Sequence, residues 1–531
     1  MQKHFNTSGP VVPSDHYCID PMQRLDWEEV QVLIERHKYF VLHAPRQTGK
    51  TSTLLAMMEV LNGSGDYNAL YVNIEGAQTA REDADKGMTV VCETIAAAAR
   101  TYGIEPRLQA IADQLLSIRQ PSGALTQLLT EWAQLSPKPI VLMLDEVDTL
   151  IGDTLISLLR QIRAGYAQRP RAFPQSIILC GVRDVRDYRI QNPHKETITG
   201  GSAFNIKAKS LRMGNFTLEE VQKLYQQHTD ITGQVFEAGV FPELWADSMG
   251  QPWLVNALGN ELTWEDKSAR DRSSPITLER YHAARDRLIR SRATHLDQLA
   301  NQLKERRVHA VVSAMLAGDS LIANIQDDDL QYVEDLGLIT TRPQIAISNR
   351  IYQEIIPREL TWQLQASISE QQAWYLTPER RLDMGKLLTN FQQFFRENSD
   401  VWLQGVPYKE AGPHLILQAF LQRIVNGGGR IHREYALGRK RTDLLLEWPL
   451  DEAKGFYGEV QRVVIELKIL RGSLDKMIAE GVVQAAEYAR QCGAEEVHLV
   501  IFNRDPQISW DEKIWHQAHT DGGLPVDVWG A

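Results

Sequence analysis

The feature that most constrains the fold is an apolar run followed by a tight polar loop and a helical stretch. The run Tyr39–His43 leads into the loop APRQTGKT, residues 44–51, and the following letters favour a helix. Three more short apolar runs, each followed by a longer amphipathic stretch, occur in the first 210 residues: Ala69–Ile74, Ile140–Leu144 and Ser176–Val182. This alternation predicts an α/β domain with a parallel sheet covered by helices.

The loop fits most of the pattern G-x-x-x-x-G-K-S/T, in which backbone amides and a helix N-terminus cradle phosphate groups. Lys50 would reach the β and γ phosphate oxygens, and the hydroxyl of Thr51 would ligate Mg²⁺. Alanine stands where the pattern has its first glycine, and it tolerates such a loop less freely. We therefore expect a site for ATP and Mg²⁺, with a chance match of a short loop as the alternative. Its residues are Ala44, Pro45, Arg46, Gln47, Thr48, Gly49, Lys50 and Thr51.

Two carboxylates downstream strengthen this interpretation. The apolar run Ile140–Leu144 ends in Asp145 and Glu146. At such a strand end Asp145 can hold Mg²⁺ through water, and Glu146 can activate the attacking water. The two motifs together make a chance match the weaker explanation.

Three arginines are candidates for stabilising the γ-phosphate. Arg183 follows the run Ser176–Val182, at a strand end where related ATPases place a sensing residue, with an ordinary surface arginine as the alternative. Arg160 and Arg163 lie on the helix after Glu146 and could serve a neighbouring subunit. Helical surface arginines are, however, commonly only solvated.

The N-terminal motifs resemble those of AAA-like ATPases related to the STAND and archaeal ATPase groups. The resemblance covers about residues 5–365 and rests on His16, Tyr17, the loop, the LDEVD and GVRD segments, and the segment GQPW that begins at Gly250. It implies that His16 and Tyr17 lie near the adenine and that the G-x-P segment packs a helical domain over the nucleotide. Ordinary turn and packing roles are the alternative. ATPases of this kind often act as switches and assemble symmetrically, so a homo-oligomer is expected.

The C-terminal region carries a second constellation of charged residues on predicted strands. Asp443 begins the apolar run Asp443–Glu447, and Glu466 and Lys468 lie two apart in Val463–Ile469. Period-two geometry puts Glu466 and Lys468 on one face, where burial is costly without partners. Mg²⁺ between Asp443 and Glu466 would supply one, with Mn²⁺ as an alternative ion, and Lys468 would position the attacking water.

Further residues extend this constellation. Glu434 precedes Asp443 by nine positions and is a secondary candidate carboxylate, while Gln484 and Tyr488 share one helix face. The set resembles the PD-(D/E)XK superfamily over about residues 385–510, and the last pair is similar to its RecB-like branch, although Thr442 stands where the motif has proline. The resemblance implies a nuclease. The alternatives are a structural salt bridge and an inactive relative that only binds nucleic acid.

A basic stretch accompanies these residues and predicts a nucleic-acid partner, DNA in preference to RNA. A solvated hairpin is the alternative. The stretch comprises Arg430, Arg433, Arg439, Lys440 and Arg441, with His432 and Tyr435 interleaved.

The remaining pattern suggests the domain organisation. The period is helical from about 215 to 360, and residues 327–356 predict a helix, a turn at Gly337 and two short strands, either a winged helix or an ordinary helix and hairpin. A polar stretch follows that predicts a helical connector. We therefore predict an ATPase domain over 1–210, a helical lid and winged-helix-like region over 211–365, a connector over 366–384 and a nuclease-like α/β domain over 385–531.

Composition limits the function classes. The net charge of −11 argues against a chain coated in nucleic acid. Four cysteines without C-x-x-C spacing fit a reducing cytoplasm. The start lacks a basic end followed by an apolar run, and no segment reaches the length of a membrane span, so we expect a cytoplasmic protein without a membrane partner.

Two functions from different classes follow. The first is an ATP-regulated, metal-dependent nuclease, for which fold-level analogy suggests bacterial defence against phage or mobile DNA. The second is a switch or adaptor ATPase whose C-terminal domain binds nucleic acid or a partner without cleaving. A helicase-nuclease is disfavoured because one P-loop core is present without further helicase motifs.

Overall fold

The computed structural model describes residues 3–118, 123–183, 190–191, 197–198, 208–291, 294–317, 325–360, 375–405, 412–425, 429–437, 440–451, 454–505 and 507–531. The chain forms two compact units. The first contains Met1–Leu288 and Glu334–Gly337, and the second contains Ile289–Val333 and Leu338–Ala531. The domain boundaries expected from the sequence remain predictions.

The first unit is built on a five-stranded parallel sheet in the order β2-β3-β4-β1-β7. A separate antiparallel pair, β5 and β6, lies between β4 and β7 in sequence. The strands are β1 Phe40–His43, β2 Asn68–Asn73, β3 Ile140–Asp145, β4 Ser176–Gly181, β5 Ile190–Gln191, β6 Thr197–Ile198 and β7 Lys209–Arg212. Strands β1 to β4 coincide within two residues with the four apolar runs, which confirms the predicted α/β class with a parallel sheet.

Helices cover both faces of this sheet, which explains why the strands β1, β3 and β4 are buried along their whole length, whereas the edge strand β7 is partly exposed. One face packs against helices that contribute Ile95, Leu128 and Leu158, and the other against helices that contribute Val30 and Met57. The helices are α1 Trp27–Glu35, α2 Lys50–Ser64, α3 Ala84–Thr101, α4 Leu108–Ile118, α5 Ala124–Leu135, α6 Gly152–Ala164, α7 Leu218–Thr232, α8 Val240–Ser248, α9 Pro252–Asn260 and α10 Leu278–Arg290.

Helices α7 to α10 follow the sheet, within the region 211–365 that was expected to hold a helical lid, and they are referred to as the lid helices; the role of a lid remains a prediction. Helix α7 begins at a capping box, because Thr217 accepts from the amide of Glu220 while the Glu220 carboxylate accepts from the amide of Thr217. A buried ion pair ties α8 to α10, with Arg285 Nε donating to Asp247 Oδ2 at 3.0 Å and the Tyr281 hydroxyl donating to the same oxygen at 2.8 Å. These two bonds fix α8 against α10.

The described chain after α10 consists of helices, one short antiparallel pair of strands and a six-stranded mixed sheet. The helices are α11 Thr294–Gln302, α12 Arg306–Ala317, α13 Asp327–Asp335, α14 Arg350–Leu360, α15 Met384–Gly405, α16 Gly412–Val425, α17 Leu474–Cys492 and α18 Trp510–Lys513. The strands are β8 Ile339–Thr340, β9 Ala346–Ile347, β10 Arg430–Leu437, β11 Lys440–Pro449, β12 Val460–Ile469, β13 Glu496–Phe502, β14 Trp515–Asp521 and β15 Leu524–Gly530.

The six-stranded sheet has the order β10-β11-β12-β13-β15-β14. Its first three strands are antiparallel neighbours, whereas β13 runs parallel to β12 because α17 provides the crossover between them. The predicted strands at Asp443–Glu447, Val463–Ile469 and Val497–Phe502 are each present within a longer strand. The region after the connector is therefore α/β, as predicted.

Two expectations for the middle of the chain have different outcomes. Helix α13, the turn at Gly337 with φ of 82° and the antiparallel pair β8–β9 follow the predicted order, but their assignment to a winged helix remains a prediction.

Most of the predicted helical connector lies outside the described residues. Its described part before α15, residues 375–383, is not helical: the amide of Thr377 donates to the carbonyl of Arg381 at 2.8 Å, because Pro378 favours a turn at this point.

Within the part of the chain that the structure describes, none of the helices combines the length and the apolar character needed to span a bilayer.

Candidate functional sites

The phosphate-binding loop connects β1 to α2 in the geometry that the sequence predicts. Gly49 caps α2 with φ of 94°, and Gln47 is also left-handed with φ of 57°. Ala44 is fully buried, and its amide donates to the Gly181 carbonyl at 3.2 Å. The left-handed positions of the loop thus fall on Gln47 and Gly49 and not on Ala44, so an alanine in place of the first glycine strains nothing.

Lys50 is the buried cation of the loop. Its side chain is 6% exposed, and its ammonium donates to the carbonyls of Ala44 and Pro45, each at 3.0 Å. These carbonyls are neutral, so they hold the ammonium in place without cancelling its charge. The loop is further closed by the Thr48 hydroxyl, which donates to the Pro45 carbonyl at 2.7 Å. A fixed positive charge at a helix N-terminus fits a phosphate group.

Thr51 and Asp145 meet at the start of α2. The Thr51 hydroxyl donates to Asp145 Oδ2 at 2.7 Å, and the backbone amide of Glu146 donates to Asp145 Oδ1 at 3.0 Å. Asp145 is fully buried at the end of β3. A hydroxyl beside a buried carboxylate is a donor set that suits Mg²⁺, so the residues present fit the metal that the loop motif implies.

Glu146 follows in a strained conformation beside the loop. Its φ of 60° is left-handed, which is uncommon for a residue with a side chain and occurs often at active sites. Burial raises the pKa of its carboxyl, as do the nearby carboxylates of Asp148 and Asp145. A carboxylate with a raised pKa next to the phosphate loop suits general-base catalysis.

A cavity extends from the loop to the lid within the first unit. It runs between the N-terminal segment, the first turn of α2 and the start of α9. Tyr17, predicted near the adenine, lines this cavity, while its neighbour His16 accepts a hydrogen bond from the amide of Val12 at 2.9 Å. Other residues that line the cavity include Thr48, Gly49, Phe216, Trp253 and Asn256.

The G-x-P segment fixes how the lid meets this cavity. Gly250 has φ of 69°, and a Cβ there would lie 1.9 Å from the carbonyl oxygen of Phe216. Pro252 occupies the first turn of α9, and Gln251 caps the helix by accepting from the amide of Leu254 at 2.6 Å. Pro252 and Trp253 consequently line the cavity, and the packing of this segment over a nucleotide remains a prediction.

The arginines considered for the nucleotide site lie in different elements. Arg46 is exposed within the loop itself, and Arg183 lies two residues beyond β4. Arg160 and Arg163 are exposed on α6. The assignment of an arginine to the γ-phosphate therefore remains a prediction.

The structure adds residues that sequence reasoning missed. Tyr71 donates its hydroxyl to Asp145 Oδ2 at 3.1 Å from the neighbouring strand β2, and its pKa is raised by burial and then by Asp145. Arg24 donates to the carbonyls of Thr48 and Gly214, and its guanidinium lies 4.6 Å from the centre of the Phe216 ring. Neither residue belongs to a motif. The only sequence signal for Tyr71 is its place in an apolar run beside the strand of Asp145.

A second candidate site lies on one face of the six-stranded sheet. Val463, Ile465 and Leu467 pack toward the cluster that includes residues of α15 and α16, whereas Val464 packs with α17. Glu466 and Lys468 therefore share the α17 face, as the period-two pattern predicts. Glu466 is 1% exposed, which makes its charge costly without a partner.

Polar contacts join these residues to α17. Lys468 Nζ lies 2.8 Å from Glu466 Oε1 and donates to Gln484 Oε1 at 3.0 Å. Gln484 Nε2 in turn donates to the Tyr488 hydroxyl at 2.9 Å. The structure thus brings four of the predicted residues into one continuous chain of contacts.

Strand register relates the remaining two predicted carboxylates to Glu466. Leu444 pairs with Ile465, and continuing this antiparallel register by one residue sets the backbone of Asp443 opposite Glu466. The β10–β11 register, with Arg433 opposite Leu444 and Tyr435 opposite Thr442, sets Glu434 opposite Asp443. Glu434, Asp443 and Glu466 therefore occupy one row across three strands. The side chains of Glu434 and Asp443 lie outside the described part of the structure.

Among the side chains that are described, no group of three or more His, Cys, Asp or Glu residues could hold a metal ion. Glu447, on β11, has protein partners of its own. Its carboxylate accepts hydrogen bonds from His432 at 3.0 Å and from Arg462 at 3.1 Å. Burial alone would raise the pKa of Glu447, but these two partners outweigh burial and lower the pKa to about 2. Of the basic stretch, Arg430 stacks over Phe456 at 3.8 Å, and Arg439 lies outside the described residues.

A parallel sheet, a phosphate loop with a buried lysine, and a threonine hydroxyl bonded to a carboxylate at a strand end together define a P-loop ATPase. The family described as "AAA-like domain" matches residues 22–355. The chain belongs to this family, which implies ATP as the ligand of the loop together with Mg²⁺.

Comparisons with solved structures give distant likenesses in fold. A Walker-type ATPase of Pyrococcus abyssi is 14% identical, with 66% of this chain and 99% of that chain covered and a TM-score of 0.45. Cdc6p from Pyrobaculum aerophilum is 15% identical, with 65% and 93% covered and a TM-score of 0.36. The RuvB Holliday junction branch migration motor of Thermotoga maritima is 12% identical, with 61% and 90% covered and a TM-score of 0.32. No curated protein matches the sequence.

Proposed function

We propose that the chain is an ATP-regulated, metal-dependent nuclease, in which the nucleotide bound at Lys50 and Thr51 controls cleavage of nucleic acid at Glu466 and Lys468. DNA is the favoured substrate, and defence of a bacterial cell against phage or mobile DNA is the proposed setting. The ATPase part of this function follows from the family. The nuclease part rests on the residues of the six-stranded sheet.

The observation that carries the nuclease proposal is the contact of Glu466, Lys468 and Gln484 on the α17 face of the sheet. Glu466 is 1% exposed, and a buried carboxylate is costly without partners. Divalent cations prefer carboxylate oxygens, so a bound ion would be a further partner. We propose that Asp443 shares this ion with Glu466, with Glu434 as a further carboxylate.

Lys468 fits the role of positioning the attacking water. Its ammonium is held at 2.8 Å from Glu466 and at 3.0 Å from the Gln484 oxygen, so its direction is fixed along the sheet face. When bound, Mg²⁺ or Mn²⁺ would polarise the scissile phosphate and lower the pKa of its water ligand. A cation that is held beside that ion orients the water and stabilises negative charge on the phosphate.

The role of ATP follows from the first unit. Lys50, Thr51 and Asp145 would hold the nucleotide and Mg²⁺, and Glu146 would take a proton from the attacking water. Hydrolysis of the phosphoanhydride bond of ATP changes the ligand at the loop. A ligand that binds two states of the protein with different free energies favours one of them. We propose that this difference switches cleavage on or off.

A gel assay on the full chain tests the nuclease site. Single- and double-stranded DNA and RNA are incubated with Mg²⁺ or Mn²⁺, each with and without ATP. Glu466→Gln removes the charge that binds the ion, and we expect it to lower the cleavage rate at least about a hundredfold while ATP binding is unchanged. Glu496→Gln, on the adjacent strand β13, is the matched control and should cleave like the unmodified chain.

Two outcomes would oppose the proposal. Unchanged cleavage in Glu466→Gln would show that the active site does not lie on this face of the sheet. Tight binding of nucleic acid without any cut product, under every metal and nucleotide, would favour the alternative of a switch or adaptor ATPase whose C-terminal region binds without cleaving.

A further inference from the structure

Arg24 joins the phosphate loop to the linker 213–217, which leads from β7 to α7. Its Nη1 donates to the carbonyl of Thr48 at 3.0 Å, and its Nη2 donates to the carbonyl of Gly214. The ring of Phe216, in the same linker, lies against the guanidinium, with its centre 4.6 Å away. Two carbonyls and one ring therefore hold a flat, forked cation in a single orientation.

The positive charge of Arg24 has no ion-pair partner among the residues that the structure describes. Its two acceptors are carbonyl groups, and its ring partner is uncharged. Burial lowers the pKa of Arg24 to about 10, and the charge of Glu220 opposes this effect, so the guanidinium stays charged at neutral pH. A half-buried cation without a counter-charge is costly unless an anion binds close by. The phosphate loop is where such an anion would bind.

The bond to Thr48 also sets the direction of the Gly49 amide. The carbonyl of Thr48 and the N–H of Gly49 belong to one planar trans peptide group, so they point in opposite directions. With the carbonyl held by Arg24, this N–H points away from the guanidinium. None of the described residues accepts a hydrogen bond from it, and Gly49 lines the cavity. In a loop of this pattern the acceptor is a phosphate oxygen.

We infer that Arg24 is a positioning residue for the phosphates of ATP: by holding the Thr48 carbonyl, it aims the Gly49 amide at a phosphate oxygen. Arg24 acts through the peptide group and does not need to touch the nucleotide. A peptide group without this anchor is free to turn, and its ordering on binding lowers the affinity. The inference rests on ATP binding at the loop and goes beyond it by naming a residue outside the loop that prepares the loop for phosphate.

Calorimetric titration of the full chain with ATP and with tripolyphosphate tests the inference. Tripolyphosphate carries the phosphates of ATP without its base and sugar. Arg24→Met removes the donors and the charge but keeps an unbranched side chain. We expect the dissociation constants of both ligands to rise by the same factor, roughly tenfold. KM for ATP should rise with little change in kcat, because the amide binds the phosphates equally before and during hydrolysis.

Arg169 offers a matched control at the other end of β1. It donates to the carbonyls of Tyr166 and His37, and it lies over the ring of Tyr166 at 3.3 Å. His37, however, precedes β1, whereas the phosphate loop follows that strand. Arg169→Met should therefore bind ATP and tripolyphosphate like the unmodified chain, even where thermal unfolding shows the same loss of stability as in Arg24→Met.

Four outcomes separate the possible failures. Unchanged affinities in a folded Arg24→Met would overturn the inference. Weaker binding of ATP alone would place the effect at the base and overturn it as well. An equal loss of affinity in Arg169→Met would assign the effect to general loosening of the unit, which also contradicts the inference. Absence of ATP binding in the unmodified chain would instead overturn the nucleotide site itself.

Arg24→Lys decides the question if Arg24→Met does not fold. Lysine keeps the charge, but its single nitrogen cannot hold both carbonyls as the guanidinium does. The dissociation constants of ATP and tripolyphosphate should again rise by one common factor, smaller than that for Arg24→Met. Affinities equal to those of the unmodified chain would show that the charge suffices, and the positioning role would be overturned.

Discussion

The hydroxyl of Tyr71 donates to Oδ2 of Asp145 at 3.1 Å, the same oxygen that accepts from Thr51 at 2.7 Å. Two hydroxyls thus orient one carboxylate, one from the helix after the phosphate loop and one from the adjacent strand. Partners of this kind fix the direction of a group that must bind a metal, and they are commonly needed for full affinity. We therefore expect Tyr71 to position the Asp145 carboxylate for Mg²⁺.

Removal of this hydroxyl should weaken Mg²⁺ binding. In Tyr71→Phe we expect the Mg²⁺ concentration for half-maximal ATP hydrolysis to rise about tenfold, with little change in the rate at saturating Mg²⁺. A magnesium titration of ATPase activity measures this. Tyr67→Phe, just before the same strand, is a suitable control, and an identical titration curve for Tyr71→Phe and the unmodified chain would argue against the role.

Glu146 should determine the rate of ATP hydrolysis and its dependence on pH. In Glu146→Gln we expect ATP binding to persist and hydrolysis to fall at least about a hundredfold. The pKa of Glu146 is raised, and the base must be deprotonated to act, so activity should be lost as pH falls through this raised pKa. The acidic limb of the pH profile should accordingly lie above the ordinary glutamate range. A limb at or below pH 4.5, in a chain that remains folded, would contradict the assignment.

Gly250 should be required for the packing of the lid. A Cβ at Gly250 meets the Phe216 carbonyl oxygen at 1.9 Å, and its φ is also unfavourable for other residues. Gly250→Ala should lower the free energy of unfolding by about 3 kcal/mol, from backbone strain and overpacking together.

Gly65 provides the matched control for this substitution. Its φ of 82° is similar, but a Cβ there would meet nothing within 4 Å. Gly65→Ala should therefore cost only about 1 kcal/mol, from backbone strain alone. Denaturant unfolding of both variants measures the difference, and equal costs would show that the contact with Phe216 is unimportant.

His228 should make the stability of the first unit sensitive to acid. Its Nδ1 lies 3.1 Å from the Tyr17 hydroxyl and its Nε2 lies 3.0 Å from Gln234 Oε1. Burial lowers the pKa of His228, and the charge of Arg272 also lowers it. The unfolded chain therefore binds the proton more readily, so the stabilising contribution is present above about pH 6.5 and is lost as pH falls below it.

This dependence can be measured by thermal unfolding of the full chain at pH 7.5 and pH 5.5. The first transition of the unmodified chain should fall in temperature at the lower pH. His228→Gln, which retains a donor toward Gln234, should show a smaller fall. The same fall in both proteins would assign the effect to other groups.

Much of the nucleotide site could be predicted because its residues are local in sequence. Lys50 and Thr51 follow directly from the strand, loop and helix that their own segment encodes, and Asp145 ends its own strand. Tyr71 and Arg24 could not be predicted, since their contacts depend on the order of strands in the sheet and on the path of the linker that leads to the lid helices. The GQPW segment indicated a lid, but only the structure shows why Gly250 is needed.

The second site also contains residues that could be predicted from the sequence and residues whose arrangement could not. The two-residue spacing of Glu466 and Lys468 predicts a shared face, because alternation is a property of a single strand. The row that joins Glu434, Asp443 and Glu466 depends on two registers between strands, and no spacing in the sequence specifies a register. The connector was predicted to be helical from its polar composition, and Pro378 explains why its described part forms a turn.

The central claim is that the nucleotide state of the first unit controls metal-dependent cleavage by the second. Its most direct test compares cleavage of DNA by the full chain with and without ATP, at fixed Mg²⁺, in the unmodified protein and in Lys50→Ala. We expect ATP to change the cleavage rate of the unmodified chain at least about tenfold, and the rate of Lys50→Ala to be the same with and without ATP. The account would be contradicted by an equal cleavage rate with and without ATP in the unmodified chain. It would also be contradicted if ATP changed the cleavage rate of Lys50→Ala as much as that of the unmodified chain.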